Sequence, residues 1–168
     1  NFNSKKKLKF LFFWGHTEHS SNVTKACLSN FYPCKFEFNG KTFNFSEQCF
    51  MWQKAMLFND FEIAEQILKE TDVRKIKALG RKVKDFDKNW WNQHKECFMF
   101  NACYAKFSQN TELRDFLLST GNSEIVEASP VDNIWGIGFS SDKAMENIGK
   151  WGQNLLGETL MKVRAVLK

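Results

Sequence analysis

Glu47, Lys54 and Asp132 are the side chains of this sequence whose types and spacing suggest chemistry. Glu47 follows Ser46 in the first turn of a helix read over residues 46–57. The helix macrodipole favours a negative charge there, although a glutamate at such a position is also common decoration. Lys54 comes seven residues later. Seven residues are close to two turns, so the two charges share a helix face about 10 Å apart along the axis, with Met51 between them. On the surface Lys54 would be a solvated amine; in a pocket it could hold a phosphate or stabilise a leaving group. Asp132 follows Ser129-Pro130 and precedes Trp135-Gly136-Ile137-Gly138. It either makes an Asx-turn or opens a ligand loop. In the second case Gly136 and Gly138 let backbone N–H groups approach a ligand closely, and Trp135 offers a flat face to a base.

Other residues suit binding rather than proton transfer. Trp14-Gly15 ends a predicted strand and can line a cleft. Asn30 in Asn30-Phe31-Tyr32 supplies amide donors and acceptors for sugar hydroxyls, or caps backbone groups. Trp91 falls on the apolar stripe of a long helix, which marks it as core; Trp90 becomes the candidate stacking platform through the Asn-Trp match in the family resemblance given below. Asn154 and Gly157 open the last helix, whose unpaired N–H groups make an anion site. Glu127 ranks below the other acids because it lies in a predicted strand. His16, His19 and His94 have no Cys-x-x-Cys or further histidines to complete a zinc site. No cofactor motif of the Gly-x-Gly-x-x-Gly or P-loop kind occurs.

The positioning elements follow from pattern. Leu8–Trp14 reads as a buried strand. Residues 35–38 and 42–45 flank Asn39-Gly40, the signature of a tight hairpin. Ser46, Asn59, Asp72, Asp87 and Thr111 are read as caps of successive helices, with Phe61 inward on the second and Gly80 ending the third at its C′ position. The long helix is read over 88–107. Residues 125–128 form a short extended piece, and the final helix, about 154–167, buries Leu156, Leu160, Val163 and Leu167. Residues 129–153 lack periodicity, and a long irregular stretch in a compact domain is more often functional than decorative.

Bulk composition sets bounds. A chain of 168 residues with 18 phenylalanines suits one aromatic-rich domain. A mean hydropathy of −0.45 and the lack of a long apolar run predict a soluble protein. Five cysteines with irregular spacing and no visible export signal predict reduced, buried thiols and a cytoplasmic location. The net charge of +5, with Lys5, Lys6, Lys7 and Lys9 in a basic tail over residues 1–9, reads first as a solvated tail on a mildly basic protein; the functional reading is a surface that attracts phosphate-bearing substrates. Residues 10–168 are read as the domain, and a monomer is expected.

Several motifs in register resemble the NADAR, or YbiA-like, family: LSNFYP at 28–33, NGKTF at 39–43, SEQCFMWQKA at 46–55, NWW at 89–91, VEASPVDNIWGIG at 126–138 and GQNLLGETLMKVR at 152–164. The resemblance implies a helix-dominated α+β fold with a small β-hairpin or sheet. It also implies cleavage of N-glycosidic bonds in ribosylated substrates. Glu47 then matches the family's helix-opening Ser-Glu, and its carboxylate would face the oxocarbenium-like centre, with Lys54 and Asp132 assisting. A desolvated Lys54 could instead form a Schiff base at the ribose anomeric carbon. The substrate expected is an ADP-ribosylated guanine or other nucleobase, free or in nucleic acid. The alternatives are phosphoribosylaminouracil intermediates of riboflavin biosynthesis, or a module that binds ADP-ribose or NAD without cleaving it.

Overall fold

The computed structural model describes residues 9–168. The basic tail, apart from Lys9, and Leu8 of the first expected strand lie outside the described residues. Strand β1, Phe10–Phe13, pairs in parallel with β4, Glu124–Glu127, in the register Phe10↔Glu124 to Phe13↔Glu127. Strands β2, Phe36–Phe38, and β3, Lys41–Phe43, form the expected antiparallel hairpin. Its turn places Asn39 at φ 49° and Gly40 at φ 74°, the positive angles that Asn-Gly tolerates best. Phe36 faces Phe43 across the pair, with ring centroids 5.8 Å apart.

Seven α-helices carry the rest of the described chain: α1 Ser46–Leu57, α2 Phe61–Lys69, α3 Val73–Arg81, α4 Lys88–Gln109, α5 Thr111–Ser119, α6 Ser141–Ala144 and α7 Leu155–Leu167. Two 3-10 segments, Lys25–Leu28 and Met145–Lys150, fill longer connections. Helix α1 is central and packs against α2, α3 and α4, while α7 packs on α4 and β4. Leu156, Leu160, Val163 and Leu167 are buried on one face of α7, as their 3.6-residue spacing requires. No helix among the described residues is long and apolar enough to cross a membrane.

Helix starts show where local chemistry yields to tertiary contacts. Asp72 and Asp87 cap α3 and α4, accepting from the N–H groups of Arg74 and Trp90. Asp60 rather than Asn59 caps α2. One of its carboxylate oxygens accepts from Ile63 N–H and the other from Lys84 N–H, a double task that no neutral amide can match. Ser46 lies inside α1, with Phe45 at the cap position, and its hydroxyl donates to Asn30 Oδ1. Asn110 takes the place expected of Thr111, its amide donating to the carbonyls of Lys35 and Lys106. Gly80 does not end α3 but sits within it, against Met51. Phe61 points outward. Cys27, Cys49 and Cys103 are buried thiols, whereas Cys97 is exposed.

Candidate active site

A cleft of about 570 Å³ opens where α1, α3, α4, the ends of β1 and β4 and the 129–135 loop converge. Its floor is one face of α1: Glu47, Phe50, Met51 and Lys54, at helix spacings i, i+3, i+4 and i+7. Aromatic walls follow. Phe50 holds the rings of Trp91 and Trp135 at 5.2 and 5.1 Å between centroids. Trp14, Gly15 and Phe31 line the mouth, and Trp14 is exposed. Three cations from α3, Arg74, Lys77 and Arg81, face the same space, so one helix stripe supplies a positive rim.

The acids meet here. Glu47 is 8% exposed, and its backbone N–H donates to Asn30 O at 3.1 Å. Burial pushes its carboxyl up to about 7; Lys77, Lys54 and Arg81 pull the value down, and the charge on Asp132 pushes it further up. A carboxyl near 7 exchanges protons readily at neutral pH. Asp132 does make an Asx-turn: Oδ1 accepts from the N–H groups of Ile134 and Trp135, both at 2.9 Å. That turn aims the residue into the cleft rather than competing with such a role. Burial also lowers the Lys54 amine, which lies 4.8 Å from the Phe86 ring centroid and 5.4 Å from that of Trp91. Glu127, from the end of β4, lines the same cleft, and burial raises its carboxyl to about 8.

Of the residues singled out from sequence, Glu47, Lys54, Asp132, Trp14, Gly15, Asn30, Phe31 and Trp135 come together at this cleft. Tyr32, Trp90, Gly136, Gly138, Asn154 and Gly157 do not line it, for identifiable reasons. Trp90 is exposed, lies tilted against His94 with ring centroids 4.4 Å apart and lines a separate open depression beside Asp85 and Asp87. Trp91 takes the wall instead, because its place on the inward stripe of α4 turns it toward α1. Tyr32 packs near Lys106, a buried lysine whose amine donates to Ser29 O at 2.9 Å and so fixes the loop that carries Asn30. Gly136 packs its backbone against the Glu127 and Asp132 carbonyls, where a Cβ would come within 2.8 and 3.0 Å. Gly138 serves a positive φ of 79°.

The anion site expected at the start of α7 is also corrected. The N–H groups of Asn154, Leu155 and Leu156 donate to the carbonyls of Gly136, Ile134 and Trp135. The Asn154 side chain bridges Ile125 O and Glu127 N–H, and Gly157 lies against the Ile125 carbonyl. This helix terminus anchors the loop and β4. The cations that do face the cleft are Arg74, Lys77 and Arg81 on α3; sequence reasoning did not single out this stripe, although its three- and four-residue spacing could have marked it.

Two predictions arise from these groups. In the folded chain Glu47 is raised from the usual 4.5 to about 7 and Glu127 from 4.5 to about 8. Each holds its proton in the folded state after the unfolded chain has lost it. Their stabilisation is therefore complete below the unfolded value and lost as pH rises through about 7 and 8. Glu47 alone accounts for about 3 kcal/mol. Urea midpoints should fall from mildly acidic to alkaline pH, and Glu47→Gln should flatten part of that fall; identical slopes would contradict the burial argument. Separately, Trp90→Ala should leave ligand affinity within about twofold. Trp91→Phe should weaken it roughly tenfold, as read by calorimetry with the ligand proposed below.

Comparison with known proteins points the same way. The family model described as the NADAR domain matches residues 12–168. The chain is 45% identical over 161 residues to the Caenorhabditis elegans protein irg-1, covering 84% of this chain and 76% of that one. It is 42% identical over 164 residues to N-glycosidase R617 of Acanthamoeba polyphaga mimivirus, covering 93% and 95%. The NMR structure of Escherichia coli YbiA, a protein named N-glycosidase, superposes with a TM-score of 0.76 at 31% identity, covering 95% of this chain and 84% of that one. The helix-dominated α+β fold is therefore shared.

Proposed function

The chain belongs to the NADAR domain family and is a hydrolase of N-glycosyl bonds, and we propose that the bond it cuts joins the ribose of ADP-ribose to a nucleobase. One observation carries the reading. A buried carboxyl, Glu47, opens into a ring-walled cleft whose rim bears Arg74, Lys77 and Arg81. The carboxylate suits a sugar carbon that becomes positive as the bond to nitrogen breaks. The rings suit a base, and the cations suit phosphates. The cleft volume of about 570 Å³ lies in the range of small-molecule sites. Asp132 and Lys54 assist, the first beside the sugar and the second against anionic parts of the substrate.

Turnover of guanine-ADP-ribosylated DNA, assayed beside the phosphoribosylaminouracil intermediates, tests the choice. Release of free ADP-ribose from the DNA is the expected result; turnover of the aminouracil intermediates alone would replace this substrate with the riboflavin one. Calorimetric binding of ADP-ribose with no product from any ribosylated base would make the chain a binding module. Borohydride added during turnover should leave Lys54 unmodified, since water is the acceptor. A trapped lysine adduct would pass the nucleophile's role to Lys54, whose amine burial already lowers.

A further inference from the structure

Breaking a ribose–nitrogen bond leaves an electron pair on the departing nitrogen. Glu47 answers the charge on the sugar, but it does not supply a proton to that nitrogen. Glu127 is placed to do so. It is the last residue of β4, and its main chain is held from both sides. Its N–H donates to Asn154 Oδ1 at 3.0 Å, and its carbonyl accepts from Ile137 N–H at 3.0 Å. The side chain reaches the cleft, and its Oε2 is buried without a hydrogen-bond partner among the described residues. A buried polar atom without a partner is costly, and native structures rarely keep one without a use. A ligand nitrogen in the cleft would supply the partner.

We propose that Glu127 is the general acid that protonates the nitrogen leaving C1′ of the ribose. The assignment rests on the N-glycosidase reading above. The groups facing Glu127 support it: Asp132 from the loop and Glu47 from α1 add to the effect of burial, and Lys77 from α3 opposes them. Burial raises both carboxyls, Glu127 to about 8 and Glu47 to about 7, so a protonated Glu127 beside an ionised Glu47 is an accessible state at neutral pH. Two carboxyls whose environments separate their proton affinities divide acid and base work between them. The C1′–N bond breaks, its electron pair goes to nitrogen, and nitrogen takes the Glu127 proton. A water oxygen bonds to C1′ and gives a proton to the Glu47 carboxylate. Solvent then returns a proton to Glu127 and removes one from Glu47, so the net reaction adds one water across the bond. The substrates favoured are those whose nitrogen needs a proton to leave, such as purines and amines. A pyridinium riboside departs as a neutral base without one.

The test is a pH profile of kcat for wild type and Glu127→Gln on guanine-ADP-ribosylated DNA. The wild type should lose activity above about pH 8. The glutamine variant should fall about a hundred- to a thousandfold at neutral pH, with KM little changed and the alkaline decline gone. Glu127→Asp keeps an acid and should retain an alkaline limb at a shifted position, which tests the idea even if the glutamine variant does not fold. A glutamine variant within about threefold of wild type, or one that keeps the same alkaline limb, overturns the assignment while leaving the N-glycosidase reading intact. A wild type that releases nothing from any ribosylated base removes both.

Discussion

Replacing Glu47 by glutamine is expected to lower kcat for ribose–nitrogen hydrolysis by about a thousandfold, while ADP-ribose still binds within a few-fold of wild type. Glutamine has the same shape, and the backbone bond from residue 47 to Asn30 O does not depend on the side chain. The floor of the cleft should therefore persist. On the proposed reading, what disappears is the negative oxygen facing the sugar, an interaction that strengthens only as the bond breaks, so the loss belongs in kcat and not in affinity. Unfolding cannot mimic this result. The charge on Glu47 is disfavoured by burial, so the neutral variant should be at least as stable as wild type at alkaline pH. Single-turnover kinetics together with calorimetry separate the two quantities. A variant retaining activity within about threefold would remove Glu47 from the reaction.

Gly157→Ala should cost about 3 kcal/mol of stability. In an exposed helix the same change gains about 1 kcal/mol, so the sign depends on what the new methyl meets. Here a Cβ would fall 2.0 Å from the Ile125 carbonyl and 2.4 to 2.5 Å from the Asn154 amide. The first obstacle is backbone of β4, and the second already bonds Ile125 O and Glu127 N–H. Neither can move without separating α7 from the strand that carries Glu127. Urea unfolding at a fixed mildly acidic pH measures the effect. A variant as stable as wild type would mean that the packing of α7 on β4 is looser than described.

The contrast between these two residues shows what the sequence could reveal. Glu47 and Lys54 were legible because helix spacing alone puts them on one face, and the Ser-Glu and Gln-Lys pairs carry the family resemblance. The hairpin was legible because Asn-Gly tolerates positive φ. Glu127 was ranked low because a strand residue takes its direction from its partner, and β1 and β4 are separated by more than a hundred residues with no local signal of their pairing. Asn154 and Gly157 were correctly read as opening a helix, but whether that opening faces solvent or a carbonyl is a tertiary fact. Trp90 and Trp91 were distinguished by their stripe. The error lay in equating an inward position with core, when the inward face of α4 also walls the cleft.

The parallel pairing of Phe10–Phe13 with Glu124–Glu127 bears on when the enzyme comes into being. A parallel pair needs a long crossover, and contacts so distant along the chain form late and slowly. Trp14 and Glu127 sit at or beside the paired ends of these strands, and β4 is held by the first turn of α7. Until residues beyond 154 are present, the chain therefore lacks the Asn154 contacts that hold β4 and Glu127, whereas α1 with Glu47 is built from residues that are neighbours in sequence.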